Sequence, residues 1–137
     1  MNIAFFLTPK QDVTWVPAQA TIQQALELMQ ARRHSAVPLL DTDGRYVGTL
    51  TEGDLLWHLQ HATLPWRETA NTTPVLAAAR RMENQAVRIE AEIEALIARA
   101  IDQSFVPVVD DREIFVGIVR RQRIIEYCAS RAGLISS

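Results

Sequence analysis

The chain has 137 residues, 48% of them hydrophobic and 22% charged, with a formal net charge of −2 and a single cysteine. That length buries one core of ordinary size, whereas two independent domains would each be marginal. One cysteine excludes an intramolecular disulfide framework, the apolar run Ile3 to Leu7 is too short for a membrane span or signal core, and the charge balance gives no global attraction to nucleic acid, so a cytoplasmic globular protein is expected.

In chain order, a short strand is expected over Val13 to Val16. A helix follows from about Thr21 to Arg33, where Ile22, Ala25, Leu26 and Met29 recur at helical spacing and Thr21 with Gln24 makes a capping-box pattern. AVPLL and YVGTL are two strands of a hairpin, joined through the turn chemistry of Asp41-Thr42-Asp43-Gly44, with Pro38 near a strand start where a missing N–H is tolerated. Thr51 and Asp54 open a closing helix that carries Leu55, Leu56, Trp57 and Leu59. Residues 61–74, HATLPWRETANTTP, lack strong periodicity and read as a linker, and Val75 to Met82 read as a short helical patch.

From there the pattern restarts. A strand is expected over Ala86 to Ile89 and a helix over Ala91 to Ile101, with Ile93, Leu96, Ile97 and Ala100 on its apolar stripe. Two strands and a closing helix with Ile124, Ile125, Tyr127 and Cys128 come next. HSAVPLLDTDGRYVGTLTEGDLL from His34 lies on QSFVPVVDDREIFVGIVRRQRII from Gln103 without a gap, Pro38 on Pro107 and Gly48 on Gly117. The chain is therefore a tandem duplication of a β-α-β-β-α unit in the α/β (α+β) class. Residues 1–60 form the first motif with its N-terminal segment, 61–74 the linker and 75–137 the second motif, together one compact module. The closing helices carry more apolar surface than one core-facing stripe requires, so part of it is expected to meet another subunit in a homodimer; Cys128 is expected on the core side.

The chemistry concentrates where each closing helix begins. Thr-x-x-Asp at Thr51 and Asp54 is a helix cap, yet a helix start beside a strand end also suits phosphate or sugar hydroxyls, and a carboxylate there can accept both hydrogen bonds of a ribose cis-diol. Both readings stand. In the second copy Arg120, Arg121 and Arg123 place positive charge at the positive end of a helix dipole, a conflict that an anion would relieve, whether a ligand phosphate or Asp110, Asp111 and Glu113. Arg32-Arg33 and Arg80-Arg81 are further basic pairs that could make local anion sites. His58 and His61 alone are too few for a structural metal, Trp15, Trp57 and Trp66 are expected to fix packing or an interface, and no nucleophile-base-orienter set or phosphate-binding glycine loop appears, so neither a metal, a cofactor nor an enzyme is expected.

The duplicated unit, the VPLLD and VPVVD strands, and Gly48-Thr49-Leu50-Thr51-Glu52-Gly53-Asp54 resemble a tandem pair of cystathionine-β-synthase (CBS) domains, a Bateman module, over roughly residues 8 to 130. The resemblance implies two repeats related by pseudo-two-fold symmetry and clefts for adenine nucleotides. It places Asp54 on ribose, Thr51 on ribose or phosphate, and Ala36, Val37 and Pro38 near the base with His34 beside them; Lys10 and Val13 join this set. The second copy departs from the motif, with arginines where Thr and Asp stand in the first, which implies basic side chains reaching phosphates. Small stand-alone bacterial pairs, including cyclic-di-AMP receptors, have a similar Arg-Arg stretch. The expected function is a ligand sensor for an adenine nucleotide, its output read by a separate effector protein or by the oligomer. The rivals are a cyclic-di-AMP receptor, a ligand-free interaction scaffold and, less supported, a DNA-binding regulator.

Overall fold

The structure, a computed structural model, describes residues 2–79 and 84–135. In chain order the elements are a one-turn 3-10 helix Ile3–Phe6, β1 (Thr8–Pro9), a 3-10 turn Lys10–Asp12, β2 (Val16–Pro17), α1 (Ile22–Arg32), β3 (Ala36–Leu40), β4 (Tyr46–Thr51), α2 (Glu52–Gln60), α3 (Trp66–Thr72), α4 (Val75–Ala78), β5 (Val87–Arg88), α5 (Ile93–Ala100), β6 (Phe105–Val109), β7 (Phe115–Arg120) and α6 (Arg121–Arg131). The duplicated α/β pattern is thus present. The chain divides into two compact units, Thr14–Asn84, and Met1–Val13 together with Gln85–Ser137.

The unit Thr14–Asn84 is built on the sheet β2-β3-β4, with β2 parallel and β4 antiparallel to β3. Its first helix begins as expected: Thr21 N–H donates to Gln24 Oε1 at 2.9 Å and Gln24 N–H donates to Thr21 Oγ1 at 3.2 Å. It stops at Arg33, whose φ of 54° is left-handed. Ile22, Ala25 and Met29 enter a core with Val16, Val37, Leu39, Leu50 and Leu55. In the hairpin turn, Asp41 Oδ1 accepts from the N–H of Asp43 and of Arg45, both at 2.9 Å, and Gly44 takes a φ of 82°. The stretch expected as a linker contains α3, and Thr69 and Ala70 are buried there; two turns are too short for a periodic signal. Of the expected patch Val75 to Met82, only Val75–Ala78 is helical, Ala79 is extended, and Arg80 to Met82, including the Arg80-Arg81 pair, lie outside the described residues. Val75 and Ala78 close this core, and the Val75 N–H donates to Ala20 O at 2.9 Å.

In the other unit the sheet order is β1-β7-β6-β5. Its outer strand comes from the N-terminal segment: Thr8 pairs with Ile118 and Pro9 with Gly117, while Ile3 and Phe6 join a core with Val106, Val108, Val119 and Ile124. Phe6 meets Tyr127 edge-on, ring centroids 5.2 Å apart. The approach of β1 admits no side chain at Gly117, where a Cβ would stand 2.2 Å from Thr8 O. The segment that precedes the first repeat therefore completes the unit of the second, whereas α4, which precedes the second repeat, completes the unit of the first. The expected boundaries grouped residues 1–60; the compact units draw the line elsewhere, and local periodicity cannot register such an exchange because each segment keeps its own pattern.

Smaller differences follow from the same cause. The strand expected over Val13 to Val16 is instead Val16–Pro17, and Val13 follows the Lys10–Asp12 turn in the other unit. The strand expected over Ala86 to Ile89 is Val87–Arg88. Cys128, expected on the core side, is exposed. Among the described residues no helix is long and apolar enough to cross a membrane.

Candidate functional site

The expected ligand residues fall into two sets. His34, Ala36, Val37, Pro38, Thr51 and Asp54 belong to the unit Thr14–Asn84, while Lys10, Val13, Arg120, Arg121 and Arg123 belong to the other. Lys10 and Val13, grouped with the first repeat on the sequence, thus share a unit with the arginines, because the N-terminal segment pairs with β7.

In the first set, strand register makes the corner. Ala36 lies opposite Thr51 and Val37 opposite Leu50, so AVP runs beside the end of β4 at the point where α2 begins. Glu52 N–H donates to Ser35 O at 2.9 Å and fixes that junction. Thr51 and Asp54 form a reciprocal cap: Asp54 N–H donates to Thr51 Oγ1 at 3.1 Å and Thr51 N–H donates to Asp54 Oδ2 at 3.0 Å. The cap explains why Asp54, only 5% exposed, tolerates burial. It does not exhaust the chemistry. The cap engages one carboxylate oxygen, and the Thr51 hydroxyl, used as an acceptor, keeps its proton to donate. Val37 and Pro38 are buried, Ala36 and His34 half-buried.

The second repeat builds the same corner with different side chains. Phe105 lies opposite Arg120, and Arg121 N–H donates to Ser104 O at 3.0 Å, the counterpart of the Glu52 bond. No side chain caps α6. Arg121 Nε–H donates to Gln103 O at 3.1 Å, which holds the guanidinium against the corner, Arg120 is half-buried and Arg123 exposed. Two of the three internal carboxylates considered as partners are engaged elsewhere. Asp110 Oδ1 accepts from the N–H of Arg112 at 2.8 Å and of Ile114 at 3.0 Å, and Glu113 pairs with Arg88 at 2.6 Å. Neither ion pair found among the described residues involves Arg120, Arg121 or Arg123.

Two features escaped the sequence reading. Gln103 is buried and ties Gln85 to the corner, accepting from Gln85 N–H at 3.2 Å and donating to Gln85 O and Phe105 O, each at 3.3 Å. Its alignment with His34, which precedes the Val-Pro strand of the first repeat, was the available signal. Tyr46 and Thr49 share a hydroxyl–hydroxyl bond of 2.6 Å, and burial pushes the Tyr46 phenol from 10.0 up to about 12. As for metals, His61 is engaged with Trp57, its Nδ1 2.9 Å from Trp57 O and the rings 4.0 Å apart. Among the described residues no three of His, Cys, Asp and Glu gather around one point.

With both corners in view, the comparison with known proteins is direct: the family model of the CBS domain matches residues 6–61 and 69–130. The chain belongs to the CBS-domain family. Over 55 residues this CBS pair is 34% identical to the CBS domain-containing protein CBSX1, chloroplastic, of Arabidopsis thaliana, a match that covers 40% of this chain and 23% of that protein. Its fold is similar to that of the CbpB protein of Listeria monocytogenes in complex with c-di-AMP, with a TM-score of 0.84, 18% identity, and 98% of this chain and 100% of that one covered. It is also similar to CBSX2 in complex with AMP, with a TM-score of 0.76, 19% identity, and 94% and 97% covered. At such identities the structural likeness is one of fold.

Proposed function

We propose that this CBS pair is a regulatory module of the cytoplasm that binds an adenine nucleotide. In the unit Thr14–Asn84, Asp54 and Thr51 take ribose hydroxyls and Ala36, Val37 and Pro38 frame the base with His34 beside them; the other unit, taken by itself, offers Lys10, Arg120, Arg121 and Arg123 to phosphate, Val13 lying beside the Lys10 turn. The observation that carries this reading is the buried Asp54 carboxylate, whose cap uses Oδ2 alone at a strand–helix corner where a hydroxyl proton remains to donate. Relatives of the same fold solved with AMP and with c-di-AMP support the ligand class. A second reading, cyclic-di-AMP as the ligand, is favoured by the three arginines around an uncapped helix start, which suit a ligand with two phosphates.

No chemistry is required of such a module. Its ligand acts by favouring one of two states, by no more than its differential affinity for them, and the change is read at an interface with a second copy or a separate effector protein. Exposed apolar side chains support such an interface, Leu56 at 60%, Ile125 at 58% and Ile101 at 75% exposure.

The test is a thermal-shift panel of adenosine, AMP, ADP, ATP and cyclic-di-AMP. A ligand at a hundred times its dissociation constant stabilises the folded state by about 2.7 kcal/mol, a plainly visible shift in Tm. A Tm that stays put across the panel at millimolar concentration would leave Thr51 and Asp54 as a cap and the chain as a scaffold.

A further inference from the structure

Ahead of the parallel ladder of β5 and β6, a side chain rather than backbone bridges the two segments. Val87 lies opposite Val108 and Arg88 opposite Val109, and the pairing goes no further toward Gln85. There sits the side chain of Gln103, a residue only 6% exposed. Its carboxamide oxygen accepts from the Gln85 N–H at 3.2 Å, and its nitrogen donates to Gln85 O and to Phe105 O, each at 3.3 Å. Both amide protons are thereby used. The main-chain oxygen of Gln103 accepts from Arg121 Nε–H at 3.1 Å, so the bridge adjoins the arginine corner.

Three backbone groups, one N–H and two carbonyls, thus converge on a planar donor–acceptor pair. An adenine edge carries the same pattern as the carboxamide that fills this cradle: its amino group has two protons to give, and the neighbouring ring nitrogen accepts one. Position sharpens the match. Gln103 aligns with His34 and Phe105 with Ala36, residues assigned to the base in the first corner. Val87 and Val16 are equivalent as well, because they pair with Val108 and Leu39, which align, and Gln85 therefore corresponds to Thr14. The side chains differ in what they can close. A neutral imidazole has one N–H and cannot answer two carbonyls and an N–H as a carboxamide does, and His34 is half-buried where Gln103 is buried. A base entering the second corner gains no hydrogen bond that the carboxamide does not already make. It must also displace a group that, being part of the chain, has no association entropy to lose.

We propose that Gln103 is a built-in stopper of the second corner: its carboxamide stands in for an adenine edge, so the wild-type chain admits a base at the first corner and anions alone at the second. This rests on the nucleotide reading of the first corner and adds to it which corner takes the base and what keeps the base out of the other.

The experiment is calorimetric titration of the full chain with AMP and, separately, with inosine monophosphate, whose ring presents an oxygen and an N–H in place of the amino group and ring nitrogen. The wild-type chain is expected to take one AMP. Gln103→Ala opens the cradle and takes two, the second at least about tenfold more weakly because Arg120 and Arg123 stand where the first corner has Thr51 and Asp54. Gln103→His, which carries the residue of the first corner, also takes two, and far-ultraviolet circular dichroism identifies the variants that keep the native fold. A wild-type chain that takes two AMP, or a folded variant that still takes one, overturns the stopper. A second site that fills equally with inosine monophosphate overturns the match to an adenine edge. A wild-type chain that takes none while Gln103→Ala takes one keeps the stopper and removes the first-corner reading instead; no binding to either overturns both.

Discussion

The starts of α2 and α6 are the same piece of backbone given opposite tasks. Each follows a strand, and the residue just before its partner strand accepts the first helical N–H, from Glu52 at Ser35 O and from Arg121 at Ser104 O, at 2.9 and 3.0 Å. After that they diverge. The first closes its helix with a reciprocal Thr–Asp cap. The second leaves its helix without a side-chain cap and crowds it with guanidinium groups, an arrangement that an isolated protein would not favour. Duplication thus left one corner with a satisfied cap and the other with an electrostatic conflict at its helix start. The supports differ too, since the strand into α6 is clamped by the chain's own N-terminal segment.

That clamp offers the largest test. Gly117→Ala would place a Cβ 2.2 Å from Thr8 O and 3.1 Å from Pro9 Cα, both backbone atoms. Overpacking against an unyielding neighbour is expected to cost about 3 kcal/mol, read by urea unfolding. At Gly53, in the first turn of α2, the nearest atom is Thr51 Oγ1 at 3.7 Å. Gly53→Ala has room for its methyl group there and should stabilise by about 0.5–1 kcal/mol through helix propensity. Equal effects at the two glycines would show that β1 does not clamp β7.

Next in size is the split between cap and ligand at Asp54. Asp54→Ala should weaken nucleotide binding by about 1.5–3 kcal/mol, the usual worth of hydrogen bonds to a charged group. Asp54→Asn keeps an oxygen for the Thr51 N–H and should hold the melting temperature while still losing affinity. Calorimetry with Asp54→Asn binding as well as the wild type would reduce the residue to its cap.

A graft exchanges the roles of the two corners. Arg120→Thr combined with Arg123→Asp rebuilds in α6 the box found in α2, and should stabilise the ligand-free protein by about 1–2 kcal/mol. The same graft should weaken phosphorylated ligands more than adenosine. Equal losses for both ligands would place the arginines away from phosphate.

The smallest effect compares Tyr46 and Thr49 with Phe115 and Ile118, their counterparts in the second repeat. Tyr46→Phe strands the Thr49 hydroxyl and should cost about 1 kcal/mol, whereas adding Thr49→Val should return most of it. Burial raises the Tyr46 pKa from 10.0 to about 12, so its neutral form is favoured by folding. The stability tied to that preference is complete below pH 10 and is lost as pH rises through about 12, which tyrosinate absorbance can follow.

The duplication, both hairpins, the Thr21 and Thr51 caps and the contrast between Asp54 and the arginines were legible in the residues, because each rests on local spacing or on matching side chains at a constant offset. α3 was not, being too short to show a period, and Gln103 was visible only as an alignment partner of His34. Cys128 misled because apolar neighbours on one helix face do not reveal whether anything covers that face. Sequence by itself determined the repeat, the chemistry at the start of each closing helix and hence the ligand class worth testing, since these follow from backbone propensity and side-chain type. Only the tertiary structure decided that the N-terminal segment seals the second repeat's unit and α4 the first's, and that Lys10 shares a unit with Arg120. Which core an apolar segment enters depends on long-range packing that leaves no trace in its own pattern.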